Sequence, residues 1–275
     1  MSQAQDRTLS ENPAEAYERY LVPALFVPWT KVLLDHAAPQ PGERVLDVAC
    51  GTGVVARHVA PLVGLRGAVV ALDSSPAMLA VARSIPPTEG ATIGWQEGSA
   101  LGLPFPAGAF DLVLCQQGLQ FFPDRATATR EMRRVLGPHG RVVLSVWQTI
   151  QHHPVYEALY RAIARHLGTT VAAIATPFSL GDPDELRALL TAAGFQRVEV
   201  APVTCTVRFP EPTQFVQLTV LAAAAAVPVF AQMDSAARTE LVEAVAREME
   251  STLRAYSAGE MVVVRRAAHI GLAYV

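Results

Sequence analysis

The 275-residue sequence is short of charge, short of cysteine and without a long apolar run, and each shortage narrows what the chain can do. Only 17% of residues are charged and the net charge is −3. No broad basic field is therefore available to hold a phosphate backbone, which argues against nucleic acid as a partner. Three cysteines, Cys50, Cys115 and Cys205, form no Cys-x-x-Cys pair and leave an odd thiol under any pairing. That excludes a disulfide framework, makes a structural metal site improbable and fits a reducing cytoplasm. The most apolar stretch, residues 218–231, is too short to span a bilayer and contains Pro228. The first twenty residues mix charges of both signs without a signal-peptide core. The expectation is a cytoplasmic, soluble protein, and 51% hydrophobic residues are enough for one well-filled domain over 1–275.

What is present is a rhythm of short apolar runs and amphipathic ones. Strands are expected near 44–49, 67–72, 91–97, 110–115 and 140–147, and helices near 53–63, 75–85 and 124–136. Such alternation specifies a parallel sheet with helices on both faces. Residues 1–40 form an N-terminal helical cover: Asn12 caps, Pro13 starts the helix, and Pro23 and Pro28 are expected to split it. Residues 41–150 form the central unit. A further helix from Asp182 to Gly194, a strand from Phe195 and a closing strand in 261–275 complete the sheet, with 148–181 and 211–257 as helical insertions over one edge.

The chemistry concentrates in RVLDVACGTGVVARHVA, residues 44–60. Gly51-Thr52-Gly53-Val54-Val55-Ala56 satisfies the dinucleotide pattern G-x-G-x-x-G/A, and Asp73 lies at the distance expected of a ribose-binding carboxylate. A nicotinamide oxidoreductase is thus one reading. Asp47, however, gives D-x-x-x-G-x-G, and a carboxylate beside the turn repels a pyrophosphate while favouring a cationic ligand. FDLVLCQQGLQFFPDR (110–125) and REMRRVLGPHGRVVLSVW (130–147) supply strands four and five with a polar exit at Gln116-Gln117. On these motifs, residues 41–150 resemble the class I S-adenosylmethionine-dependent methyltransferases, most of all the small-molecule enzymes similar to those of ubiquinone and menaquinone biosynthesis.

The resemblance implies a Rossmann-like, mostly parallel α/β sheet of seven strands in order 3-2-1-4-5-7-6, the last antiparallel, with S-adenosyl-L-methionine as cofactor. It places Asp47, Ala49, Gly51, Thr52 and Gly53 at the methionine end, Asp73 on the ribose, and Ser74 and Met78 against adenine. Gly98-Ser99-Ala100 falls where the family often carries an adenine-reading aspartate, and Gln116 and Gln117 would meet the methionine moiety. A non-catalytic S-adenosylmethionine-binding protein is the other alternative, motivated by a missing base: the stretch Gln117–Gln120 carries no histidine. His152 and His153 are the weak catalytic candidates, and Tyr17, Tyr20, Phe26 and Trp29 could furnish an aromatic cover. Residues 211–233 carry one charged side chain, Glu211, so a pocket roofed by them suits an apolar or aromatic small molecule, methylated on oxygen or carbon. The Asn/Asp-Pro-Pro-aromatic motif of exocyclic amine methylation is missing after strand four.

Overall fold

The computed structural model describes residues 12–224 and 228–275. Residues 1–11 of the expected N-terminal cover and 225–227 of the second insertion lie outside the described residues. Among the described residues one sheet is built from β1 (Arg44–Val48), β2 (Ala68–Asp73), β3 (Ile93–Glu97), β4 (Phe110–Gln116), β5 (Leu136–Trp147), β6 (Arg197–Phe209), the two-residue β7 (Ser257–Ala258) and β8 (Met261–Tyr274). The order is β3-β2-β1-β4-β5-β8-β6, with β7 paired to β8. The pairs from β3 through β5 are parallel, and β8 runs antiparallel to both of its neighbours. This is the expected order with the closing strand inserted between the fifth and sixth.

Side chains alternate across the strands and feed two cores. Val45, Leu112 and Val143 face one, with the helices Val27–Ala37 and Val54–Val63; Leu46, Val113 and Leu144 face the other, with Arg125–Val135 and Pro183–Ala192. Strand five starts earlier than its apolar run indicated. Between Phe110↔Leu136 and Leu112↔Arg141 the register slips, so the Gly137–Gly140 turn is carried inside the strand as a bulge.

Pro23 and Pro28 do not split the N-terminal segment. Pro13–Ala16, Tyr17–Phe26 and Val27–Ala37 follow one another without a break, the middle part wound as a π-helix. Pro23 supplies no N–H, and the chain answers with a wider turn in which the Val27 N–H donates to the Val22 carbonyl; Pro28, also without an N–H, follows directly after that wide turn. The wide winding puts Tyr17, Leu21, Leu25 and Phe26 along one face, all lining the cavity described below.

β6 and β8 pair from Arg197↔Tyr274 to Phe209↔Val262, whereas β5 reaches only Trp147↔Ala268. The far half of this ribbon therefore projects beyond the carboxyl ends of the parallel strands, and the helices Pro154–His166, Pro212–Ala224 and Ser235–Arg254 pack against one another beside it. No helix among the described residues is long and apolar enough to cross a membrane.

Arg141, at the start of the paired part of β5, holds the end of the N-terminal segment. Its guanidinium donates to the Ala37 carbonyl at 2.8 Å, the Ala38 carbonyl at 3.1 Å and both Glu43 oxygens at 2.6 and 3.1 Å, largely away from solvent. Arg141→Ala removes the cation from Glu43 and the side-chain donor from the Ala37 carbonyl, while Gln40 still donates to Glu43 and to the Ala38 carbonyl. It is expected to lower stability by about 2–3 kcal/mol, read as a reduced urea midpoint at unchanged slope.

Candidate cofactor and acceptor site

β1, β2 and β4 run parallel and adjacent, so their chain exits meet at one edge of the sheet. β1 leaves through Ala49 (φ 56°) and the glycine turn, and β4 through Gln117 (φ 54°); both are non-glycine residues held in left-handed backbone. The two exits touch closely. A Cβ on Gly118 would lie 2.8 Å from the Ala49 Cβ and 2.9 Å from the Cys115 Sγ, so only glycine fits there.

The carboxylate of Asp73, ending β2, fixes the turn. Its Oδ2 accepts from the Gly51 N–H at 2.7 Å and its Oδ1 from the Ser75 N–H at 2.9 Å. Ser75 in turn caps the helix Pro76–Ser84, its Oγ accepting from the Met78 N–H at 3.3 Å. The two glycines of the turn serve different neighbours. A Cβ on Gly51 would stand 3.7 Å from the Tyr17 hydroxyl, facing the covering helix, while one on Gly53 would drive into the Trp95 ring at 2.3 Å. Arg57 binds the cover to the turn, donating to the Thr52 carbonyl and pairing with Glu18 at 3.0 Å.

A cavity of about 530 Å³ opens over these exits. Ala49, Asp73, Ser74, Gly98, Ser99, Ala100, Gln116 and Gln117 all line it. Ser99 turns its hydroxyl to the Leu101 N–H at 3.1 Å. Gln116 donates to the Phe26 carbonyl at 3.4 Å and leaves Oε1 without a partner; Gln117 accepts from Gln120 at 3.2 Å and leaves Nε2 without one. These unsatisfied amides at the strand exits and the Asp73 carboxylate are a donor and acceptor set that fits a ribose-containing, amino-acid-bearing cofactor.

The other sequence-derived residues lie off the cavity wall. Met78 is half-buried on its helix and Thr52 is buried beneath the turn. His152 is exposed on the far side of the ribbon, its Nδ1 3.0 Å from the Thr149 hydroxyl. His153 is fully buried among the rings of Trp147, Tyr156 and Phe178, and burial together with nearby Arg266 pushes its imidazole down to about 2, so it stays neutral.

Asp47 is buried under the turn rather than exposed to the cavity. Its Oδ2 accepts from the Ala56 N–H at 3.1 Å and its Oδ1 has no partner. Burial pushes its carboxyl up to about 8, against the Ala56 hydrogen bond, with Asp73 adding to the rise and Arg57 opposing it. Without a ligand, then, Asp47 carries a proton near neutrality. A cation above the turn would favour the ionised form.

Sequence reasoning missed the far wall of the cavity: Trp147, Tyr156, Tyr160, Phe178, Phe209 and Arg266. The signal for Arg266 lay in the two-residue period of MVVVRRAAH, in which it falls in phase with Val262, Val264 and Ala268 on the buried face.

Because the folded chain holds the Asp47 proton and the unfolded chain releases it near the ordinary carboxylate range, stability attributable to this group falls as pH rises from about 4 to 8. Asp47→Asn is expected to flatten that part of the profile and raise the melting temperature at pH 8. Thermal melts of both proteins across this range check it, and parallel profiles would refute it.

A family described as "Methyltransferase domain" matches residues 45–140. The chain is 38% identical over 135 residues to the 2-phytyl-1,4-naphtoquinone methyltransferase of Synechococcus elongatus, covering 48% of this chain and 56% of that relative. The chain thus spans little more than half the length of that protein. To the ubiquinone/menaquinone biosynthesis C-methyltransferase of Shewanella frigidimarina it is 30% identical over 189 residues, 64% of this chain and 75% of the relative. Among solved structures, a putative methyltransferase from an antibiotic biosynthesis pathway of Anabaena variabilis superposes with a TM-score of 0.61 at 17% identity, over 88% of this chain and 95% of that one, a likeness of fold. Matching glycine turn, sheet order and relatives together, the chain belongs to the class I S-adenosylmethionine-dependent methyltransferases, in the group of the ubiquinone/menaquinone biosynthesis enzymes.

Proposed function

We propose that this chain transfers the methyl group of S-adenosylmethionine to an oxygen or carbon of a small, apolar, quinone-type acceptor. The observation that carries this reading is one continuous cavity running from Asp73 and Ser74 at the strand exits to the rings of Trp147, Tyr156 and Phe178. The names of the two relatives support the quinone class. Membership of the methyltransferase family leaves the nicotinamide alternative without support.

Asp73 would hold the ribose hydroxyls. Each of its oxygens already accepts one backbone N–H, which fixes the carboxylate and leaves further lone pairs free. Gln116 and Gln117 have unmet hydrogen-bonding capacity at the place where the methionine portion would lie. Asp47, below the turn, would ionise in response to the sulfonium. Tyr17 closes the turn from above, its hydroxyl held neutral by burial with Glu18, Asp73 and Asp47 nearby. When bound, the cofactor supplies an activated methyl group: the acceptor's electron pair makes the new bond and the old bonding pair returns to sulfur. The chain's contribution is alignment and exclusion of water, worth roughly 7–11 kcal/mol of barrier in well-oriented reactions. In this reading residues 41–150 hold the cofactor, and 1–40, 148–181 and 211–257 enclose the acceptor.

Calorimetric titration with S-adenosylmethionine tests the cofactor half. Asp73→Ala is expected to weaken binding by about tenfold to a hundredfold, the loss of hydrogen bonds to a charged group. Its melting temperature is recorded alongside, because Asp73 also anchors Gly51 and Ser75. Unchanged affinity removes Asp73 from the site. For the acceptor half, S-adenosylhomocysteine should accumulate with a reduced naphthoquinone and not without it.

A further inference from the structure

Arg266 is 2% exposed and lines the cavity, yet no hydrogen bond reaches its guanidinium: Nε and Nη1 are both buried without a partner. Among the described residues no carboxylate pairs with it. Instead the guanidinium lies against aromatic faces, 4.0 Å from the Trp147 ring centre, 3.9 Å from Tyr156 and 5.4 Å from Phe178. Ring faces attract a cation but return only part of its lost hydration, and a buried charge without a hydrogen-bonded counterion is ordinarily selected against. The long β6–β8 ribbon nevertheless presents this side chain inward at the end of the cavity farthest from Asp73.

A second observation bears on the same ligand. The titratable groups lining this end are Tyr156, Tyr160 and Arg266. Burial raises both phenols, and His153 behind them is neutral and off the cavity wall. Gln120, near the strand exit, cannot take a proton. No side chain here can ionise the acceptor, so a sufficiently nucleophilic acceptor has to arrive ionised.

Resting on the methyltransferase reading, we propose that Arg266 is the acceptor-anchoring residue: the acceptor is an apolar ring compound bearing an oxyanion, and the cavity-facing edge of the guanidinium, through Nη2, receives that oxygen. The oxyanion is either a carboxylate or the enolate or phenolate of an acidic hydroxyl. The aromatic box fixes the guanidinium plane, and the apolar cavity wall supplies the fit to the ring. Burial pulls the guanidinium below its ordinary range, with Tyr156 and Tyr160 opposing, but arginine starts so high that it keeps its proton.

The test uses the full chain saturated with S-adenosylhomocysteine, titrated calorimetrically with 2-naphthoate, 2-hydroxy-1,4-naphthoquinone and the neutral 2-naphthylmethanol. The wild type is expected to bind at least one of the two anions about tenfold or more tightly over the alcohol, and which anion gains distinguishes carboxylate from enolate. Arg266→Met should abolish that preference while melting no lower than the wild type, because it removes an unpaired buried charge. Arg266→Lys should keep a weakened preference, and serves if the Met variant does not fold. Equal wild-type affinity for anions and alcohol overturns the assignment, as does a preference that survives Arg266→Met. Failure of S-adenosylhomocysteine itself to bind is a separate outcome that sinks the methyltransferase reading. The anion preference is then read from ligand-induced shifts in melting temperature, where an equal shift with anions and alcohol counts against Arg266.

Discussion

One carboxylate organises the strand-exit end of the cavity. By accepting from the Gly51 and Ser75 amides, Asp73 clamps the turn after β1 to the start of the helix after β2. With the clamp closed, the left-handed backbone at Ala49 is braced against Gly118, and the exits of β1, β2 and β4 become one surface.

The electrostatics of the turn differ from a simple picture of a fixed negative charge beside the ligand. Asp47 is buried deeply enough to retain its proton near neutrality, and its free Oδ1 points to a group whose charge follows what occupies the turn. A neutral acid that becomes a carboxylate when a cation arrives keeps the ligand-free protein from bearing the full cost of an unsolvated anion. A diphosphate would hold the proton in place and gain nothing from the acid, whereas a cation draws out its charge.

Much of this was legible in the sequence because it is local. Strand periodicity, the cap at Asn12, the cap at Asp182 accepting from the Asp184 N–H at 2.8 Å, and Gly194 at φ 96° are short-range chemistry written into neighbouring residues. The spacing of Asp47, Gly51, Gly53 and Asp73 likewise drew attention to this turn, although it could not distinguish Gly51, faced by Tyr17, from Gly53, filled by Trp95. The far wall of the cavity was not legible. Trp147, Tyr156, Phe178 and Arg266 come from β5, the helix Pro154–His166, the 3-10 turn Thr176–Phe178 and β8, and they meet only where the β6–β8 ribbon overhangs the sheet. His152 and His153 drew notice as neighbours in sequence, but the ribbon separates them, one in solvent and one sealed among rings.

The π-wound stretch Tyr17–Phe26 has a geometrical role larger than its length. Upstream, Tyr17 must meet the glycine turn; downstream, Trp29 must seat edge-on against Trp147, with ring centres 5.3 Å apart. A π-wound turn takes more residues than an α-turn, so the angle between the two ends differs from that of a uniform α-helix. That offset is the vernier by which one rod meets the glycine turn at one end and the core at the other.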